Sequence, residues 1–547
     1  MKKMKKINIF IILLISVMFV SCSLDDLQEN PNAATPTSAD ITLLANGVQI
    51  NFANFVTSAQ NQPMGVTRMI LMSGVYDNAY SSVSFDSKWR NGYSGLLADA
   101  VTLLNNVGSD PIHNNVKAQT QILMSYTLTT LVDYFGDVPY SEAIKFDSNT
   151  NPKLDSGEDV YKEALNLLND AIQNINNNSG SNELVTDMFY GGSMAKWKTL
   201  ANTLKLRIYN NTRLVDANAK AEINKLILEN DLIDTSEEDF VWKYGTQRND
   251  PDTRSPRFRE SITRSNYMGQ YIMNIMKNTY SNPDPRIYYY FYRQSGTYPG
   301  NDEQGLFDRP CQRFPKPLHY TASDPYCNSI GDGYWGRDHG NNEGVPSDEG
   351  RITIWGLYPY GTKFDNNSFT TLSETGNNAG AAGQGYFPIF MSSWTSFIKT
   401  EAALTLSTDG DPVSLFRDAL NKSFNTVKDF NLDQPNGSNV MTGIKINDYI
   451  NVIITNYNNS NATEKLDLVM KQFYLATWGN GLEAYNNYRR TGYPSDIQPN
   501  LESAPGDFIR SFKYPASAVT NNSNINQKPN QSVKVFWDTQ TSVNINK

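Results

Sequence analysis

"VKAQTQILMSYTLTTLVDYFG" (116–136) is followed, after a polar loop, by "GEDVYKEALNLLNDAIQNI" (157–175). In the first stretch Ile122, Leu123, Tyr126, Leu128, Leu131 and Phe135 recur along a helical face, and Gly136 suits a helix C-terminus. In the second, Val160, Ala164, Leu165, Leu168, Ala171 and Ile172 keep near-helical spacing. A glycine and two acids stand at its start, which marks a helix N-terminus. Two such helices can bury their apolar faces only against each other or against further helices. The pair predicts a helical hairpin.

The pattern continues outward. "MAKWKTLANTLKLRIYNNTRL" (194–214) places Trp197, Leu200, Leu204 and Ile208 on one face, and "KAEINKLILEND" (220–231) adds a fourth helix. Hairpins in series suggest a stacked array of the tetratricopeptide (TPR) type. The TPR consensus itself is matched only weakly, by "YKEAL" (161–165), and no clean repeat appears. From about 245 to 390 the text turns rich in Gly, Pro, Asp, Asn and Tyr, interrupted by one helix near "SNYMGQYIMNIMKNTYS" (265–281). Helices resume over 391–430 and 463–488, and "KVFWDTQTSVNINK" (534–547) reads as a short strand or a docked tail. The expected fold is mainly α: TPR-like helical hairpins at about 95–235 and helices at 391–490, with minor β, packed with a loop-rich region at 245–390. A long irregular stretch inside a compact chain is usually functional, so that region is the expected ligand face.

The chain opens "MKKMKKINIFIILLISVMFVSC". Four lysines precede an apolar run, Ile7 to Val20, shorter than the ~20 residues a spanning helix needs. A basic head, a short apolar middle and small residues before a cut describe an export signal over 1–21. Phe19-Val20-Ser21-Cys22 is similar to a bacterial lipobox, which makes Cys22 the lipid-attachment residue. Acyl chains then hold the protein on a membrane through buried methylenes, about 0.8 kcal/mol each. "SLDDLQENPNA" (23–33) is polar and carries no apolar stripe, so 22–38 reads as a flexible tether, with 39–547 as a single domain. Acids directly after the cysteine resemble a surface-export signal of Bacteroidetes lipoproteins. The expected location is the outer membrane, facing the exterior.

Removing the four lysines of 1–21 takes the formal balance from −9 to −13. A chain this acidic lacks the clustered Lys and Arg that phosphate backbones require, so nucleic acid is not an expected partner. Only Cys311 and Cys327 remain besides Cys22. In an exported chain a disulfide between them is chemically permitted, and spacing alone does not decide it.

Familiar catalytic signatures fail their context tests. "GDGYWG" (331–336) spells GxGxxG but has "SDPYCNSI" before it and "RDHGNNEG" after it, neither a buried strand nor a helix. GxSxG, HExxH and Walker loops are absent, and His113, His319 and His339 show no ligand spacing. No cofactor and no metal centre are expected. A structural calcium in the Asp/Asn loop 332–343 is chemically allowed but matches no EF-hand spacing.

Aromatic residues in loops are more informative. "VYDNAYSSVSFDSKWRNGY" (75–93) carries Tyr76, Tyr80, Trp89 and Tyr93 among small polar residues. Tyr334 and Trp335 lie between glycines, and "ITIWGLYPYG" (352–361) adds Trp355. Flat apolar faces beside Arg68, Asp77 and Asn78 suit sugar rings, which combine C–H faces with directed hydroxyls. Trp335 is the foremost candidate, because flanking glycines and charges are expected to keep it exposed. Trp197 and Trp478 sit on helical faces and are expected in the core.

Seven stretches carry a family resemblance: "DYFGDVPYSEAI" (133–144), "MAKWKTLANTLKLRIYN" (194–210), "NPDPRI" (282–287), "FIKTEAAL" (397–404), "ATWGNGLEAYNNYRRTGYP" (476–494), "KYPASAVTNNSN" (513–524) and "VKVFWD" (533–538). Together they resemble the SusD/RagB family of nutrient-binding outer-membrane lipoproteins. Two positions depart from the family pattern. "MSSWTSF" (391–397) lacks an acidic residue often found upstream of the "EAAL" helix, and Ala518 stands where a glutamate often follows the "YP". The resemblance implies TPR-like hairpins with a loop-rich ligand face and no catalysis. It also implies a SusC-like TonB-dependent transporter as partner and an oligosaccharide as ligand, peptides being an alternative in some members. It transfers no individual binding residue. A surface glycosidase and a purely structural surface protein are the remaining readings.

Overall fold

A computed structural model describes residues 39–145, 148–177, 186–296, 315–326, 330–342, 352–372, 380–430 and 435–541. The export signal and tether, Cys22, Cys311 and Cys327 lie outside the described residues.

The first half is helical. Helices α1 (Ile41–Ser58) and α2 (Asn61–Val66) lead into α3 (Asp86–Arg90), which runs through a π-helical segment (Asn91–Leu97) into α4 (Ala98–Val107). Then come α5 (Asn114–Phe135), α6 (Gly157–Asn176), α7 (Met194–Thr212) and α8 (Ala219–Glu229). Contacts follow the chain order of a hairpin array: α1 against α4, α5 against α6, α6 against α7 and α7 against α8. The expected mainly α, TPR-like architecture is therefore the one observed.

Local chemistry explains the stops and starts. Gly136 adopts φ +78° and its N–H donates to the Val132 carbonyl at 2.8 Å, ending α5. Ser156 Oγ accepts from the Asp159 N–H at 3.1 Å, and Glu158 and Asp159 lie in the first turn of α6, where the helix dipole favours acids. α6 is amphipathic, burying Val160, Ala164 and Leu168 while Lys162 pairs with Glu158 on the wet side. α5 is different: nearly all of it is buried, polar residues included. Most of its hydroxyls are satisfied internally, among them Thr127 Oγ1 on the Leu123 carbonyl (2.8 Å) and Ser125 Oγ across to the Ala164 carbonyl (2.9 Å). The single apolar stripe seen in the sequence understates this helix, which is wrapped on all sides.

The middle supplies short elements: β1 (Phe240–Lys243), α9 (Pro256–Thr263), α10 (Gln270–Asn278), α11 (Ile287–Tyr290), β2 (Phe291–Tyr292), β3 (Ile354–Trp355) and β4 (Tyr386–Phe390). Strand β1 pairs antiparallel with β4, and β2 with β3. Helices return as α12 (Ser392–Leu406), α13 (Pro412–Asp429), α14 (Gly443–Asn459), α15 (Ala462–Ala476), α16 (Gly481–Thr491) and α17 (Ala516–Asn521). α12 packs on α13, α13 on α14, and α14 on α15. α14 falls between the two helical stretches singled out from sequence. Among its described residues, up to 541, the C-terminal segment forms no strand. It docks, with Trp537 fully buried.

Six of the seven resemblance stretches place a charged side chain or a buried partner in ion-pair networks. Asp133 of α5 accepts from Arg207 Nη2 (3.3 Å), Asn486 Nδ2 (2.7 Å), Trp537 Nε1 (3.1 Å) and the Tyr161 hydroxyl. Arg207 also donates to Glu483 Oε1 at 2.6 Å. Glu401 of α12 takes Arg490 through both carboxylate oxygens (2.8 and 2.6 Å) and Arg213 at 2.8 Å. Arg286 and Asp284 pair with neither side chain exposed. These groups tie α5, α7, α12, α16 and the C-terminal tail together. Charges this deep are held by complete pairing, because one orphaned partner costs about 3–5 kcal/mol.

Candidate functional site

After α2 the chain turns at Thr67–Arg68, where Arg68 has φ +64°. Residues 69–74 then run beside 267–270 and 337–340. The bonds are backbone to backbone: Leu71 N–H to Tyr267 O (2.9 Å), Gly269 N–H to Met69 O (2.9 Å), Arg337 N–H to Met268 O (2.9 Å) and Gly340 N–H to Met72 O (2.9 Å). Two glycines of "GDGYWG" let neighbouring backbone approach closely. A Cβ on Gly336 would lie 2.2 Å from the Met268 carbonyl oxygen, and one on Gly333, at φ +81°, 2.0 Å from that of Ser295.

This ladder brings Arg68, Tyr76 and His339 into one buried cluster. Arg68 Nε donates to the Gln498 carbonyl (2.9 Å) and Nη2 to the Tyr76 hydroxyl (2.7 Å). The Tyr76 hydroxyl lies 3.2 Å from His339 Nε2. Burial, reinforced by the Arg68 charge, holds the His339 pKa well below its ordinary value, so the imidazole is neutral. Burial raises the Tyr76 pKa, with Arg68 pulling the other way. With its oxygen accepting from Arg68, the phenol donates its proton toward the neutral imidazole. Phe508 closes the cluster edge-on to Tyr76 at 5.5 Å between centroids.

Asp77 and Asn78 follow directly and are exposed. Asp77 lines an open polar cleft of about 680 Å3 with Pro505, Gly506, Lys513, Asn530 and Gln531. The cleft is pinned to the buried cluster: the Tyr76 N–H donates to the Pro505 carbonyl (2.8 Å) and Gln531 Nε2 to the Tyr76 carbonyl (2.9 Å). Lys513 Nζ reaches the Asp77 carbonyl at 3.3 Å.

The other candidates lie elsewhere. Trp335 is 2% exposed, which corrects the expectation that it stands in solvent. Its backbone N–H donates to Thr353 Oγ1 (2.7 Å), its carbonyl accepts from the Thr353 N–H (2.8 Å), and its ring packs with Tyr267, Tyr292 and Ile354. The flanking glycines let neighbouring backbone close in, so they bury the indole where they were expected to expose it. The nearby charges are absorbed too, Asp332 by Lys277 and the Arg337 guanidinium over the Tyr267 ring at 4.5 Å. Tyr334 is equally buried, under the Arg293 guanidinium at 4.8 Å. Trp355 is core, tilted on Trp478 at 4.7 Å with Arg257 over its face. Tyr80 is partly buried, its hydroxyl on the Gln62 carbonyl and its ring edge-on to Phe85 and Phe512. Trp89 is partly buried against Tyr93, at 4.6 Å between centroids. Trp197 and Trp478 are in the core.

Among the described residues, no three His, Cys, Asp or Glu side chains converge as a metal site. None of their helices is long and apolar enough to cross a membrane. His339, Gln498 and Phe508 complete the frame under the cleft and were not singled out from sequence. They reach Arg68 and Tyr76 only through the fold, so spacing gave no signal for them.

A family model described as "Starch-binding associating with outer membrane" matches residues 31–315, and one described as "Susd and RagB outer membrane lipoprotein" matches 362–543. The chain belongs to the SusD-like family. Among solved structures, a chitin-binding SusD homologue from Flavobacterium johnsoniae is 18% identical, with TM-score 0.67 over 91% of this chain and 99% of that one. A SusD/RagB family protein from Bacteroides thetaiotaomicron is 19% identical, with TM-score 0.65 over 92% and 99%. No curated protein matches. At these identities the SusD-like structures speak for the fold alone.

Proposed function

We propose that this SusD-like protein is a cell-surface binding lipoprotein, anchored through Cys22, that captures oligosaccharides and passes them to a SusC-like TonB-dependent outer-membrane transporter without cleaving them. The observation that carries the reading is the open polar cleft at Asp77, backed by the Arg68–Tyr76–His339 cluster. A rigid frame under exposed polar groups lowers the ordering cost of binding a flexible ligand. A carboxylate, an ammonium and amides around one cleft suit hydroxyl-rich ligands. The starch-binding description of the family model and the chitin-binding relative support a glycan. Asp77 and Asn78 are the ligand-contact residues of this reading. Arg68 and Tyr76 are their support.

Calorimetry on residues 23–547 with plant, host and microbial oligosaccharides and with mixed peptides tests it, with product analysis on the same samples. Saturable glycan binding without products is expected. Binding of peptides alone would replace the ligand class, and product formation would make the protein a glycosidase. Cys22→Ala is expected to abolish palmitate labelling and membrane retention, and a variant still labelled would refute the anchor.

A further inference from the structure

Two further cavities adjoin one another along the α3–π–α4 run. The first, about 700 Å3, lies between α1 and α9 and is lined by Asn51, Asn54, Asn61, Arg257 and Glu260. The second, about 670 Å3, is lined by Trp89, Tyr93, Ala143, Asn149 and Ser517. Arg90 and Ser94, both exposed, line both. Each volume falls within the range of small-molecule sites, and together they make a longer trough with Arg90 at its waist.

The chemistry divides along the trough. In the first cavity Asn51 and Asn54 project from the same face of α1, with Asn61 beyond them at the start of α2. Amides offer donors and acceptors together, as hydroxyl pairs require. Opposite them Arg257 is buried, and its Nη1 donates to both Glu260 oxygens at 2.8 Å while Nη2 holds Asn61 Oδ1. The cation is therefore neutralised in place, which favours an uncharged ligand over an anion. In the second cavity Trp89 and Tyr93 form a fixed aromatic wall, Tyr93 pinned by its hydroxyl to the Pro139 carbonyl at 2.7 Å. The π-helical segment that carries Asn91 and Ser94 is a second, independent observation. Such segments give up regular helical bonding and occur frequently at functional sites.

We infer that these two cavities form a second binding groove, separate from the Asp77 cleft, that takes an extended neutral oligosaccharide laid across Arg90, with sugar faces on Trp89 and Tyr93 and hydroxyls on the α1 amides. The groove shares no lining residue with the Asp77 cleft.

The test is calorimetry on residues 23–547 with malto- and chito-oligosaccharides from disaccharide to octasaccharide. Affinity is expected to rise at least about tenfold from the disaccharide to chains long enough to reach both cavities. Asn54→Ala, on the exposed face of α1, is expected to weaken the long chains about tenfold. Ala143→Trp, which fills the second cavity, is expected to remove the length dependence. Circular dichroism melting of each variant separates lost binding from lost folding. Wild-type affinity at every length in both folded variants overturns the groove. If only Asp77→Ala loses binding, the groove is wrong and the Asp77 cleft stands. If only the groove variants lose it, the cleft assignment is wrong and the groove stands. Silence with every oligosaccharide overturns both.

Discussion

Asp133 and Asp77 are both carboxylates in stretches singled out from the sequence, and the fold treats them in opposite ways. Asp133 is fully buried and accepts from Arg207, Asn486, Trp537 and Tyr161. Asp77 stands in solvent at the rim of a cleft. The first joins elements from both ends of the chain through its buried carboxylate, and the second holds only the Lys513 ammonium, through its backbone carbonyl. The difference teaches where family resemblance resides in this molecule. The recognisable motifs are those whose buried charges must find one another for the helices to dock. The proposed ligand face is built from exposed groups on which the core does not depend.

The largest effect expected of that contrast is in stability. Asp133→Ala leaves Arg207 and three buried donors, Asn486, Trp537 and Tyr161, short of an acceptor and is expected to cost about 3–5 kcal/mol in urea unfolding. A variant within about 1 kcal/mol of the parent would break the comparison, since that is an ordinary surface effect. Trp335→Ala empties an enclosed indole site and is expected to cost about 3–5 kcal/mol by the same measurement. Were Trp335 an exposed sugar platform, affinity would fall and stability would not.

Acid titration sharpens the comparison further. Burial alone would raise the Glu401 pKa, but Arg213 and Arg490 bring it down to about 2, below its ordinary 4.5. A depressed carboxylate contributes stability that is complete above the unfolded value and is lost as pH falls from 4.5 toward 2. Melting temperature is expected to drop through that window, and Glu401→Gln, already destabilised, is expected to show a flatter profile. The smallest effect on stability belongs to Asp77→Ala, which should leave unfolding within about 0.5 kcal/mol. Its oligosaccharide affinity should fall about tenfold by calorimetry, the loss of a charge-assisted hydrogen bond. Undiminished affinity would move the ligand away from the cleft.

The legibility of the chain follows the same division. The α5–α6 hairpin was readable because helix periodicity, Gly136 and the acids after Ser156 are local signals. The full burial of α5 was not, because Ser125, Thr127 and Thr129 look polar until their hydroxyls are seen returning to backbone carbonyls. The exposure assigned to Trp335 failed for a related reason. In a sequence, glycines and charges beside an aromatic residue are marks of a surface loop. Here Gly333 and Gly336 admit neighbouring backbone, Asp332 pairs with Lys277 and Arg337 lies over the Tyr267 ring, so the loop folds inward.

The helical hairpins and the family are legible in the sequence alone, since each rests on residues adjacent in the chain or on a helical period. Only the tertiary structure decided which candidates meet and which are covered. Arg68, Tyr76, His339, Gln498 and Phe508 become one cluster, and Asn51, Arg90, Trp89 and Arg257 one trough, through contacts between segments far apart in the chain. Such contacts are set by how the helices and loops pack, and no local pattern encodes them.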